Sequence, residues 1–139
     1  MKTLTAIFMF VVVLTFSACG QSQEAKAQEA VCTARDDIQT QIASLKAASI
    51  SDVVNGNVKT NLNAIKDDLE TIKNSQSKLA PARKQEVETA NDAFKTQFEA
   101  IALQLTSSLS LKTAGTQVQT ALAQLTTAYR QALAPLTCS

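Results

Sequence analysis

Residues 58–72 read VKTNLNAIKDDLETI, and apolar side chains recur in this stretch at alternating steps of four and three residues. The apolar positions are Val58, Leu62, Ile65, Leu69 and Ile72. Because an α-helix makes one turn in 3.6 residues, this spacing places all of them on one face, whereas a strand would alternate with period two. The stretch therefore predicts an amphipathic helix that buries one face.

The same spacing occurs in three other parts of the chain. The apolar positions are Val31, Ile38, Ile42 and Leu45 in the first part, Val87, Ala90, Phe94, Phe98, Ile101 and Leu105 in the next, and Val118, Leu122, Leu125, Tyr129 and Leu133 in the last. None of these runs alternates with the period of a strand. Four such helices predict an all-α protein, a small antiparallel up-down-up-down four-helix bundle.

Polar residues, glycine and proline separate the four apolar patterns. We expect Ser49–Asp52 to form a capping box at the start of the second helix, with Gly56 in its irregular first turn. Pro81 suits the first turn of the third helix, where its missing N–H has no effect. Residues 115–116 are expected to cap the fourth helix and Pro135 to end it.

The first eighteen residues are expected to be a signal peptide rather than part of the bundle. Lys2 gives the amino-terminal region positive charge, and Leu4–Phe16 contains no charged residue. Thirteen residues are too few for a helix across a hydrocarbon core of ~30 Å, which needs ~20, but they match the apolar region of a signal peptide. The protein is therefore predicted to be exported.

The residues that follow, Ser17-Ala18-Cys19-Gly20, resemble the lipobox of bacterial lipoproteins. The resemblance implies that the chain is cut before Cys19 and that the Cys19 thiol carries a diacylglycerol, so that the protein is anchored to a membrane of the cell envelope. In lipoproteins of this kind, an aspartate directly after the lipidated cysteine tends to retain the protein at the inner membrane. Gly20 stands at that place here. The resemblance therefore implies transfer to an outer membrane, where the organism has one. The alternative is cleavage after Ala27, which would give a soluble periplasmic or secreted protein.

This interpretation divides the chain into a signal peptide (1–18), a polar spacer behind the lipidated cysteine (19–29) and the bundle (30–139). The full chain has thirteen basic and twelve acidic residues. Loss of Lys2 with the signal peptide leaves a mature chain without net charge. A nucleic-acid partner is not expected, since the sequence has no basic stripe with aromatic stacking platforms.

Cysteine usage also agrees with export. If Cys19 carries lipid, then Cys32 and Cys138 remain as an even pair in an oxidising compartment. An even number of antiparallel helices brings the two residues to the same end of the bundle. We therefore predict a Cys32–Cys138 disulfide; an intermolecular bridge or two free thiols are the alternatives.

The residue inventory predicts a protein without catalytic, metal or cofactor sites. The chain has no histidine, which excludes Ser-His-Asp and Cys-His centres and histidine-based zinc sites. Neighbouring acidic residues on a helix diverge by about 100° and do not converge on one atom. Glu70 with Lys73, and Lys84 with Glu88, are instead spaced to form ion pairs on a helix surface. No glycine-rich phosphate loop is present.

One surface is a candidate for a partner. Uncharged polar residues recur opposite the apolar face of the fourth helix, and they are Gln117, Thr120, Gln124, Thr127 and Gln131. Such a face loses its water more readily than a Lys/Glu face, although it is also tolerated as ordinary surface. Leu103 lies off the apolar face of its helix and is expected to be exposed.

Together these patterns predict a non-catalytic exported lipoprotein that presents a helical bundle at the bacterial envelope for structural or protein-interaction roles. Its expected partners are the membrane, through the lipid anchor, and an envelope protein. The alternative is a soluble exported module that binds an apolar ligand or lipid between its helices. The oligomeric state stays open.

Overall fold

The computed structural model describes residues 22–48, 56–109 and 114–138, without the side chains of residues 108, 109 and 114. Four helices and no strand occur within these ranges. They are α1 (Gln23–Ala47), α2 (Asn57–Gln76), α3 (Pro81–Leu109) and α4 (Ala114–Ala132). The predicted all-α fold is confirmed.

The helices form a four-helix bundle. Backbone packing is closest within the pairs α1–α2 and α3–α4, while α2 with α3 and α1 with α4 pack less closely. Only residues 77–80 separate α2 from α3, and so short a connection makes neighbouring helices antiparallel. The bundle therefore consists of two tight helix pairs that meet along looser seams.

The core contains the apolar faces that the sequence predicts, with one shift on α4. The predicted positions of α1 and α2 are all buried. On α4, Ala121 and Ala128 are completely buried, whereas Val118 and Leu122 are only partly buried. Because alanine side chains are small, they let the α4 backbone approach its neighbours closely, and the buried face is centred on them.

An aromatic cluster joins three helices in the middle of the core. The ring of Phe94 lies 6.1 Å from that of Phe98 and 6.2 Å from that of Tyr129, the latter in an edge-to-face arrangement. Such pairs add about 0.5–1.5 kcal/mol to the effect of area burial. The Tyr129 hydroxyl donates a hydrogen bond to Gln39 Oε1 on α1 (3.3 Å). The cluster thus ties α3 and α4 to α1.

The first helix begins earlier than the sequence indicates. It starts at Gln23, and the Ser22 side chain caps it by accepting a hydrogen bond from the Ala25 N–H (3.1 Å). Part of the predicted spacer (19–29) is therefore helical, and Ala27 within it is buried, with 4% of its surface exposed. Alanine is common in both spacers and cores, which is why the sequence pattern placed the boundary too late.

The starts of α2 and α4 also differ from expectation. Gly56 is the N-cap of α2 rather than a residue of its first turn, and its φ of 81° lies in the region that glycine adopts readily. Residues 115–116 lie inside α4, which begins at Ala114, rather than capping it. Pro81 is the first residue of α3, as predicted. The proposed capping box, Ser49–Asp52, lies outside the described residues.

The predicted signal peptide (1–18) and the lipid-bearing Cys19 lie outside the described residues as well. In the part of the chain that the structure covers, no helix has both the length and the apolar character that crossing a membrane requires.

Candidate functional site

A disulfide joins the two ends of the bundle's chain. The sulfur atoms of Cys32 and Cys138 are bonded at 2.03 Å, and the Cα atoms lie 5.6 Å apart. Cys32 is on α1, and Cys138 follows the last turn after α4. The predicted pairing is confirmed, and it makes Cys32 a structural residue without a free thiol.

Two arginines hold the segment that leads to Cys138, residues 133–138. From α1, Arg35 Nη1 donates a hydrogen bond to the Leu136 carbonyl (2.5 Å). From α3, Arg83 donates to the Thr137 carbonyl and to Thr137 Oγ1 (3.2 Å). The two arginine side chains are only 17% and 14% exposed. The carbonyls of Leu136 and Thr137, beyond the end of α4, thus accept hydrogen bonds from two charged arginines. The sequence pattern does not predict these contacts.

Each arginine is fixed in turn by an acidic neighbour. Arg35 Nη2 lies 2.7 Å from Asp36 Oδ1, and Arg83 Nη1 lies 2.7 Å from Glu86 Oε2. Arg35 lies one turn after Cys32 on α1, and its guanidinium binds the C-terminal segment.

The amino-terminal turn of α1 lies at the same end. Glu24 Oε1 accepts a hydrogen bond from the Ala80 N–H (3.2 Å) in the connection between α2 and α3. We call this end, made of the first half of α1, residues 77–80 and residues 133–138, the closed end. The Ala80 N–H and the carbonyls of Leu136 and Thr137 are bound there by side chains from α1 and α3.

A groove runs between α2 and α3, one of the looser seams. Its volume is about 730 Å³, within the range of ~300–1,000 Å³ typical of small-molecule sites. Leu62, Leu69, Phe98 and Ala102 form its apolar floor. Leu103 lies at its edge and is 73% exposed, as the sequence predicts. We call this feature the α2/α3 groove.

A line of lysines forms the α2 edge of the groove. Lys59, Lys66 and Lys73 are spaced by seven residues, or about two helical turns, and all three are exposed. Within the described ranges none of them makes an ion pair, so the expected Glu70–Lys73 pair is not formed. On the opposite side Lys95 pairs with Glu99 (3.9 Å). The α2 edge therefore carries three lysines without a described ion pair, together with Glu70, which lines the same groove.

Asn91 of α3 lines the groove and is buried, with 1% of its surface exposed. Its Oδ1 atom has no hydrogen-bond partner among the described residues. Buried polar atoms in folded proteins are nearly always paired, so this unpaired acceptor is an exception to the general pattern. Gln76 Nε2 is the comparable atom outside the groove, in a residue that is 7% exposed.

A shallower cavity of about 440 Å³ lies between α1 and α2 and is bordered by carboxylates. Burial, followed by the negative charges of Asp37 and Asp67, raises the pKa of Asp68 to about 6. Over the described residues, no three His, Cys, Asp or Glu side chains are grouped so that they could hold a metal ion.

The polar face predicted on α4 is exposed at all five positions: Gln117, Thr120, Gln124, Thr127 and Gln131. The Thr120 hydroxyl donates to the Thr116 carbonyl (2.9 Å), and the Thr127 hydroxyl donates to the Ala123 carbonyl (3.0 Å). These hydroxyl protons are therefore used within the helix. Leu103, considered with this face in the sequence, belongs instead to the α2/α3 groove.

Comparison of the chain with protein-family models, with curated proteins and with solved structures gives no match.

Proposed function

We propose that the protein is a non-catalytic lipoprotein of the bacterial envelope whose helical bundle binds an elongated apolar ligand in the α2/α3 groove. The observation that carries this proposal is the groove itself, with its volume of about 730 Å³ and its floor of leucine, phenylalanine and alanine side chains. Of the two functions that the sequence predicts, this geometry favours ligand binding.

The walls of the groove suit a flexible hydrocarbon chain. Lysine side chains carry four methylene groups below the ammonium, so Lys59, Lys66 and Lys73 extend the apolar surface upward from the floor. Leu62, Leu69 and Phe98 are themselves nearly covered. A bound chain would thus contact lysine stems, Ala102 and Leu103 at little expense to the existing core.

The closed end supports cleavage before Cys19 rather than after Ala27. A cut after Ala27 would remove the Ser22 cap, the Glu24 hydrogen bond to Ala80 and the buried Ala27 side chain. A cut before Cys19 keeps all three contacts. Transfer of labelled palmitate to the wild-type chain and its loss in Cys19→Ser would establish the anchor; labelling that persists in the variant would contradict it.

The absence of histidine and the oxidised state of Cys32 support a non-catalytic role. The Cys32 thiol is consumed in a structural bond. The remaining geometry suits binding rather than catalysis.

Photo-crosslinking of the full chain in envelopes of the producing bacterium tests ligand binding. A neutral long-chain alcohol with a diazirine in its chain is expected to label peptides of α2 and α3. Ala102→Phe fills the groove and should remove most of this labelling, whereas Ala100→Phe, on an exposed position outside the groove, should not. Equal labelling of both variants, or labels spread over all helices, would contradict the proposal.

A protein partner on the α4 face is the second candidate, favoured by the exposure of five uncharged polar side chains in one row. Replacing Gln124 and Thr127 by Glu should abolish capture of an envelope partner without changing the circular dichroism. The matched control replaces Gln97 and Thr96, an exposed pair on α3. A folded Gln124/Thr127 variant that keeps every partner would exclude this surface.

A further inference from the structure

We propose that the ligand of the α2/α3 groove is a single-chain anionic lipid with a hydroxyl-bearing head group, a lysophospholipid. This inference rests on the proposed ligand-binding function and assigns the class of the ligand. Three features of the groove correspond to three parts of such a molecule: the floor to the acyl chain, the lysine line to the phosphate and Asn91 to a head-group hydroxyl.

The charge of the groove favours an anion, because four lysines and two glutamates line it. Lys59, Lys66 and Lys73 form a line without an ion pair among the described residues, and the lysine on the α3 side is already paired with Glu99. A neutral hydrocarbon would bury the methylene stems of these lysines and gain nothing from their ammonium groups. A phosphate gains a charge-assisted hydrogen bond from any of them.

The orphaned acceptor adds a second requirement. Asn91 Oδ1 is buried, unpaired and carried by a residue that lines the groove. Neither a phosphate diester nor an ionised carboxylate can donate a hydrogen bond to it. A glycerol hydroxyl can once the buried amide turns toward the groove, so a head group with both a phosphate and a hydroxyl satisfies the lysines and the asparagine at the same time.

The layout of the groove gives the ligand a direction. Because α2 and α3 are joined by residues 77–80, Lys73 is the lysine of the line nearest the turn, while Lys59 and Thr106 mark the far end. Lys73 and Asn91 therefore receive the head group, and the chain runs toward Leu103. The fourteen residue-to-residue steps from Lys59 to Lys73 rise about 21 Å. This length exceeds the ~15 Å of hydrocarbon that one acyl chain spans in a bilayer leaflet.

Three diazirine probes with the same chain length separate charge from hydrogen bonding: a lysophosphatidate, a fatty acid and a fatty alcohol. Full-length protein in native envelopes is labelled, and the labelled peptides are mapped by mass spectrometry. We expect α2 and α3 peptides to be labelled most by the lysophosphatidate, less by the fatty acid and least by the alcohol. Added salt should reduce the difference between the charged probes and the alcohol.

Two variant sets assign the preference to residues. Lys59, Lys66 and Lys73 changed together to Gln should lose the preference for the anionic probes, while the same change at Lys46, Lys78 and Lys84, which lie outside the groove, should not. Asn91→Leu should reduce the preference for lysophosphatidate over fatty acid to the part that the greater charge of the phosphate supplies. Gln76→Leu removes the other unpaired buried amide and should leave that preference intact.

The outcomes distinguish this inference from the function on which it rests. Equal labelling of the groove by all three probes, blocked by Ala102→Phe, would overturn the lysophospholipid assignment and leave apolar binding in place. Absence of groove labelling by any probe would overturn both. Competition by vesicles of diacyl phosphatidylglycerol as strong as that by free lysophosphatidate would assign the surface to a membrane and also overturn the inference. If the lysine variant loses its helical circular dichroism, the Asn91→Leu and Gln76→Leu pair decides the assignment.

Discussion

The closed end and the α2/α3 groove differ in whether their polar groups have partners. At the closed end, two arginines and a glutamate bind backbone groups that the helix termini leave without partners, and a disulfide fixes the arrangement. Along the groove, three lysines lack ion pairs within the described ranges, and a buried asparagine oxygen lacks a hydrogen bond. The contrast predicts that the closed end contributes more to stability than the groove does.

Removal of the disulfide is the strongest way to break this contrast. In the chain-entropy model, closing a loop of about 100 residues stabilises a protein by about 4.7 kcal/mol, and measured values are commonly about 2–4. Changing Cys32 and Cys138 to Ser should lower the free energy of unfolding by an amount in this range, as measured by urea denaturation. Reductant should destabilise the wild type equally and leave the double variant unchanged. Identical urea midpoints with and without the bond would remove the closed end as the main source of stability.

Loss of an arginine anchor should have the next largest effect. Arg83→Met removes charged hydrogen bonds to Thr137 and should destabilise the fold by about 1.5–3 kcal/mol. Arg83→Lys should restore only part of the loss, because an ammonium lacks the planar fork of the guanidinium. In a chain that also carries Cys138→Ser, the Arg83 effect should shrink, since both groups hold the same segment. Additive effects in this double-mutant cycle would show that the two anchors act independently.

Removing the unpaired amide of the groove should stabilise the fold, whereas the changes at the closed end destabilise it. Asn91→Leu eliminates an unsatisfied buried acceptor and should raise the free energy of unfolding by about 1–2 kcal/mol. Gln76→Leu should give a similar gain for the same reason. The exposed control Asn74→Leu should change stability by less than about 0.5 kcal/mol. Destabilisation by Asn91→Leu in thermal denaturation would mean that the oxygen already has a partner in solution.

The smallest expected effect is a dependence of stability on pH. In contrast to the effects at the closed end, it arises at the carboxylate-bordered cavity between α1 and α2. The folded state raises the pKa of Asp68 from 3.8 to about 6 through burial and the charges of Asp37 and Asp67. The folded protein therefore keeps this proton while the unfolded chain loses it, so stability falls as pH rises from about 4 to about 6 and is then constant. Solvent screening limits the effect to about 1 kcal/mol or less.

Asp68→Asn should accordingly raise the melting temperature at pH 7 and have little effect on it at pH 4. Glu88→Gln, an exposed acidic position on α3, serves as the control and should shift neither value. An equal shift at both pH values would attribute the gain to something other than the charge of Asp68.

The helical fold could be predicted because the three- and four-residue spacing of apolar residues continues along each helix without interruption. The even number of antiparallel helices also predicts that Cys32 and Cys138 lie at one end. Two errors share a cause, namely that alanine has no distinct signature. Ala27 was placed in a spacer, and Ala121 and Ala128 were left out of the core, although all three are buried.

The candidate site was harder to predict from sequence. Asn91 stands four residues after Val87 and three before Phe94, which is core spacing, so a buried polar residue could have been recognised there. The lysines at 59, 66 and 73 share the same regular spacing, yet a line of lysines on a helix is usually solvated surface. The groove itself depends on the distance between α2 and α3, and no local pattern encodes that distance. The contacts of Arg35 and Arg83 join positions about 101 and 54 residues apart in the chain and are invisible for the same reason.

The position of the disulfide has a mechanical consequence. A pulling force applied between the amino-terminal turn of α1 and the carboxyl terminus passes along residues 22–32 and then through the sulfur–sulfur bond to Cys138. The rest of the chain, from residue 33 to residue 137, lies in parallel with a covalent link and bears almost no load. Tension between the two termini would therefore unfold only the first turns of α1. The seam between α2 and α3 would keep its shape under that load.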